Sequence, residues 1–154
     1  VGLISNWIRN LFLVKEIISK QGVVHFRRYE LLSTPWFNLY IHHILESDQD
    51  QDLHDHPWDF QSLIMKGSYL EIVKTVSSNF TKTLVQMHLP GDVVIRNAED
   101  AHKIKLLSNS VWTLVLTSKP YRDWGYRKLN NKEFDSNNST FIDHVSYRKI
   151  KNNV

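Results

Sequence analysis

The sequence predicts an all-β sandwich or barrel preceded by one amphipathic helix. Three observations carry this. Short β-rich runs recur from residue 23 to residue 117; Pro90-Gly91 and Ser108-Asn109 stand between runs as turns; and ahead of Gly22 the apolar residues recur at helical spacing. The chain has 154 residues, which suits one domain with a sizeable core, and no linker divides it.

Taken in order, Leu3, Ile4, Trp7, Ile8, Leu11, Val14, Ile17 and Ile18 form the apolar stripe of a helix of roughly four to five turns, with Gly22 as its stop. The expected organisation is therefore residues 1–22 as a helix packed on the domain, 23–128 as the β-barrel and 129–154 as a polar extension. The expected strands are Val23 to Leu32, Trp36 to Leu45, Asp59 to Met65, Ser68 to Val76, Thr81 to His88, Asp92 to Ile95, Ala101 to Leu107 and Val111 to Thr117. From Leu129 onward the chain is Asn-rich, with Phe134, Phe141, Ile142, Val145 and Tyr147 as docking points and a frayed end.

Arg9, Lys15 and Glu16 interrupt the first apolar stretch short of the roughly 20 residues a membrane span needs. The stretch also lacks the basic start and small-residue cleavage site of a signal peptide, so the expectation is a cytoplasmic protein without a membrane partner. A net charge of +3 is scattered apart from Arg27-Arg28 and the cluster Arg148, Lys149 and Lys151, which argues for solubility and against nucleic acid. With no cysteine there is no disulfide, zinc ribbon or thiol catalysis.

The chemistry gathers at LHDHPWDFQSLIMKG, Leu53 to Gly67. Residues i and i+2 of a strand project to one face, so His54 and His56 can aim two imidazoles at one point. Such a pair alone is a weak signal. Followed by PGDVVIRNAEDAHKI, Pro90 to Ile104, it resembles the two sequence motifs of the cupin superfamily. The resemblance covers about residues 50 to 118 and implies a double-stranded β-helix, the cupin jelly roll. On it, His54 and His56 match the two first-motif histidines, Gly67 the closing glycine, Gly91 the second-motif glycine and His102 the third ligand. Gln61 falls where the family usually has glutamate, and Asn97 and Glu99 stand where the second motif often has proline and glycine. The runs FNLYIHHILESDQDQDLHDHPWDF and VWTLVLTSKPYRDWGY further resemble small cupin-like proteins of bacteria and phages.

The resemblance implies a divalent metal on His54, His56 and His102, with Fe(II) favoured and Ni, Mn, Zn or Cu as other fits for imidazole donors. With no carboxylate ligand the metal keeps its full charge, which favours a small anionic molecule in the open positions. Gln61 is expected to bond a bound water or substrate, with Asp59 as the alternative supplier of a carboxylate. Tyr40 and His42 are expected to face the interior, since alternation admits only one of the two histidines, with His43 as the alternative if a bulge swaps the faces. Arg122 is expected to reach the anion; the blander reading is a surface ion pair. Trp58, Trp112 and Trp124 read most simply as core or rim aromatics.

SDQDQDLHD has EF-hand spacing at Asp48, Asp50 and Asp52 but Leu53 where that loop needs glycine. No phosphate loop, GxSxG elbow or HExxH is present. The leading expectation is a mononuclear Fe(II)-dependent dioxygenase or related oxidoreductase. The alternatives are a non-catalytic binding or assembly module, such as a phage accessory protein, and a sugar isomerase or epimerase using His54 or His102 as base. A homodimer is a further expectation, carried by the apolar residues of the first segment.

Overall fold

In the computed structural model, residues 13–18, 22–48, 52–77, 80–127 and 141–143 are described. They form twelve strands: β1 Leu13–Ile18, β2 Val24–Ser33, β3 Phe37–Ile44, β4 Leu53–His54, β5 Phe60–Lys66, β6 Tyr69–Ser77, β7 Phe80–His88, β8 Val93–Arg96, β9 Ala101–Leu106, β10 Val111–Ser118, β11 Gly125–Arg127 and β12 Phe141–Asp143. Two six-stranded antiparallel sheets result, ordered β1-β2-β3-β10-β5-β8 and β12-β11-β4-β9-β6-β7. Their inner faces enclose the interior, and along most strands buried and more open positions alternate with the period of two that a half-buried strand requires.

The expected N-terminal helix is corrected where the chain is described: Leu13–Ile18 is an edge strand, and residues 1–12 lie outside the described residues. The reason is tertiary. Val14, Ile17 and Ile18 are β-branched, and the free edge of β2 satisfies the segment's backbone groups in an antiparallel ladder. Glu16 stands opposite Arg27 and accepts a hydrogen bond from its Nε at 2.6 Å. In the C-terminal extension, Phe141–Asp143 adds a strand beside β11, and the remainder lies outside the described residues.

One half of the interior is apolar. Ile64, Val94 and Val111 from the first sheet meet Tyr69 from the second, with Ile44, Ile104 and Leu106 packed around them. Along β3, β5 and β6 the same inward face then turns polar, through His42 and Tyr40, Ser62, and Glu71. The outer face of the first sheet is apolar as well: Leu63, Met65, Val93, Ile95 and Leu116 are exposed. Among the described residues no helix is long and apolar enough to cross a membrane.

The β5–β6 turn depends on Gly67, whose φ is +82°. A Cβ there would collide with the Ser110 carbonyl oxygen and lie 2.7 Å from Ser108 Oγ, whereas at Gly91, φ +96°, it would meet open space. Gly91→Ala is expected to cost about 1–2 kcal/mol, the left-handed penalty alone. Gly67→Ala is expected to cost roughly 3 kcal/mol or more, because a backbone carbonyl must also move. Urea denaturation of the two variants measures the difference, and equal losses would show that the Ser110 backbone yields without cost.

Candidate metal centre

His54 lies on the short strand β4, directly opposite His102 on β9 and Tyr126 on β11, while His102 stands opposite Val73 on β6. One row across the second sheet therefore reads Tyr126, His54, His102, Val73. Two residues after His54 the chain is still held as a ladder: Asp55 N–H donates to Gly125 O at 3.0 Å and His56 N–H to Ala98 O at 3.2 Å. The regular alternation turns Asp55 to the opposite side and brings His56 back to the face of His54. Ligand nitrogens of His54, His56 and His102 all lie within 4.8 Å of one another. His56 Nε2 and His102 Nε2 are 2.8 Å apart.

Behind His102 stands a carboxylate that sequence reasoning passed over. Glu71 alternates with Tyr69 and Val73 on the buried face of β6, and its side chain is 1% exposed. Its Oε1 lies 2.6 Å from His102 Nδ1, its Oε2 3.0 Å from His88 Nε2, and Arg96 forms an ion pair with it. Burial alone would raise the Glu71 pKa, but the hydrogen bonds and charges of His102 and Arg96 outweigh it and bring it down to about 2. An ionised Glu71 accepts the Nδ1 proton of His102 and so leaves Nε2 as the nitrogen that faces the cluster. Burial, then the neighbouring His102, His54, Arg28 and His42, hold the His56 pKa well below the usual histidine range. That imidazole is neutral at pH 7.

No protein-family model and no curated protein matches the sequence. Solved structures do match. KdgF from Halomonas sp. is similar over 73% of this chain and 94% of its own, at 15% identity and a TM-score of 0.51. FeII HppE in complex with substrate is similar over 68% of this chain and 54% of its own, at 10% identity and a TM-score of 0.51. A cupin superfamily protein from Desulfitobacterium hafniense DCB-2 is similar over 60% of this chain and 76% of its own, at 15% identity and a TM-score of 0.47. The fold of two antiparallel sheets is shared with KdgF. The matched region spans about half the length of the HppE chains and of a DMSP lyase.

The interior suits a divalent ion by the chemistry of its donors: three imidazoles converge, one is oriented by a carboxylate, and two Nε2 atoms are near enough to share a proton or a cation. Tyr40 and His42 lie together on the inner face of β3, with ring centroids 6.0 Å apart, whereas His43 lies on the outer face stacked on Trp112 at 3.8 Å.

Two expected site residues are placed elsewhere. Gln61 is exposed on the outer side of β5, because Phe60 and Ser62 hold the inward positions; the Phe60 ring packs against the His56 and His102 rings instead. Arg122 does not face the cluster. Its Nη1 donates to His56 O at 2.9 Å and Ala98 O at 3.0 Å, and its Nη2 to Asp55 Oδ2 at 3.2 Å, so it clamps the backbone that carries His56. Asp59, the alternative carboxylate, is spent on Ala98 N–H and the Tyr121 hydroxyl, both at 2.7 Å. Asp55 is fully buried and accepts from Gly125 N–H at 2.7 Å.

Arg28 is the residue that sequence reasoning missed most. It follows Arg27 on β2, and only strand parity separates the outward Arg27 from the inward Arg28, which donates from Nε to His42 Nε2 at 3.0 Å. A basic residue within the alternating strand VHFRRYELLS was the available signal.

Because the Glu71 pKa lies near 2, below its usual value of 4.5, the folded chain binds fewer protons there than the unfolded chain between these limits. The stability it contributes is complete above about pH 5 and is lost as the pH falls toward 2. Between those pH values metal-free wild-type protein is expected to lose on the order of 3 kcal/mol more than Glu71→Gln. Chemical denaturation across that range checks it; parallel curves would contradict an ionised, paired Glu71.

Proposed function

We propose that this cupin is a mononuclear metal enzyme, an Fe(II)-dependent dioxygenase or related oxidoreductase, acting on a small anionic molecule. The observation that carries the reading is the convergence of three imidazoles, one of them oriented by a buried carboxylate. The fold likeness to a structure described as FeII HppE supports iron among the metals that suit such a donor set. Bound there, Fe(II) supplies one-electron chemistry toward O₂ and positive charge for an anionic substrate.

The chain's own residues do the rest. Glu71 Oε1 holds the proton on His102 Nδ1 and fixes that ring. Arg122 locks the main chain at His56. Phe60 edge-on against His56, at 5.2 Å between centroids, and Trp58 stacked along it, at 6.2 Å, cover that ligand and limit water. Tyr40 presents its phenol from the facing sheet, and burial, then Glu30, raises its pKa against the opposing pull of Arg28. It is thereby kept as a protonated donor at neutral pH.

Protein purified without a histidine tag is expected to carry metal near one equivalent, and a His54→Ala, His102→Ala double variant to carry none, by elemental analysis. Wild-type protein that is metal-free and cannot be reconstituted would overturn the reading. Oxygen uptake by Fe(II)-loaded protein over a panel of small carboxylates, thiols and 2-oxoglutarate tests the reaction class. Silence throughout favours a non-catalytic binding module, and activity that survives chelation favours an isomerase or epimerase.

A further inference from the structure

Four of the five described arginines are neutralised: Arg27 by Glu16, Arg96 by Glu71, and Arg122 and Arg127 by Asp55. Arg28 is the exception. Among the described residues no carboxylate lies within ion-pair distance of it, Glu30 two residues along the strand included. It is nevertheless turned into the interior between the sheets. Its guanidinium lies 4.8 Å from the Tyr40 ring centroid, 5.4 Å from that of Trp58 and 5.8 Å from that of Phe26.

Only Nε is spent, on His42 Nε2. The two terminal nitrogens make no hydrogen bond among the described residues. Burying a cation without a counter-charge is costly, and aromatic faces return only part of that cost. Burial, then Arg28 and Lys15, which stands opposite Arg28 on β1, lower the pKa of His42.

The position is as telling as the charge. Trp58 lies 5.4 Å from the Arg28 guanidinium and 6.2 Å from the His56 ring, at 19° between ring planes. The unspent fork and the histidine cluster thus share one indole as a neighbour.

We propose that Arg28 is the anion anchor of the cupin interior, its guanidinium binding the oxyanion group of a small molecule whose other end lies at the His54, His56 and His102 cluster. The role expected for Arg122 belongs to Arg28, and the inference rests on the metal-centred reading only for the second end of the ligand. A planar fork with free N–H groups takes a carboxylate in two parallel bonds and takes a phosphate or phosphonate as well. The ligand class is therefore a small oxyanion-bearing molecule.

The test titrates metal-free ¹⁵N-labelled protein with succinate and, separately, with inorganic phosphate, following the indole Nε1–H resonance of Trp58. Wild-type protein is expected to give a saturable shift with at least one anion, and the tighter one assigns carboxylate or phosphate. Arg28→Gln is expected to weaken binding roughly tenfold or more, the loss of one charge-assisted pair. Arg28→Met, whose unbranched chain suits the aromatic surroundings, is expected to do the same and decides the matter if the glutamine variant does not fold. Folded Arg28 variants are expected to take up as much metal on reconstitution as wild type, by elemental analysis, so that loss of the metal and loss of the anchor are separate results. No saturable shift in wild type, or unchanged affinity in a folded Arg28 variant, overturns the proposal, and the metal-centred reading would survive it.

Discussion

A carboxylate that is 1% exposed cannot stand alone in a protein interior, and Glu71 does not: His102, His88 and Arg96 all close on its two oxygens. The arrangement joins four strands, since Glu71 is on β6, His88 on β7 and His102 on β9, and Arg96 reaches across from β8 in the other sheet. The same contact fixes the tautomer of His102. Fold and site thus share one electrostatic constraint, in which the ionised carboxyl that ties the two sheets together also determines which imidazole nitrogen faces the cluster.

A second clamp works from outside the cluster. Asp55, fully buried, is neutralised by Arg122 and Arg127, and Arg122 simultaneously ties the carbonyls of His56 and Ala98. His56 is thereby placed through its backbone, His102 through its ring, and His54 through the register of β4 against β9. Removing Asp55 would take the ion-pair partner from the half-buried Arg122, so its role is structural even though it sits between two candidate ligands.

Much of this was legible in the sequence, and the failures have physical causes. The eight expected strands fall within about a residue of those observed, because Gly and Pro turns and β-branched runs agree there with tertiary pairing. His54, His56 and His102 were readable because strand parity and motif spacing are local properties. The segment from Leu13 to Ile18 was misread since its apolar spacing fits a helix and a strand alike, and the deciding factor, the open edge of β2, is not local. Gln61 was misplaced because both faces of β5 carry apolar residues: Leu63 and Met65 lie outward and Phe60 and Ile64 inward, so hydrophobicity cannot fix the parity. Glu71 and Arg28 were passed over because each is one polar residue in a strand, and only the opposing sheet shows what it faces.

What distinguishes the interior is its sign. The carboxylates nearest the cluster are consumed by cations, while Arg28, among the described residues, keeps an uncompensated charge beside rings that also touch a candidate ligand. The central claim is that the three imidazoles bind one ion together. X-ray absorption spectroscopy at the metal edge of reconstituted protein tests it most directly. The account predicts three imidazole nitrogens at about 2.0–2.2 Å, with outer-shell scattering from their rings. A spectrum of oxygen neighbours alone, or of a single imidazole, would contradict it.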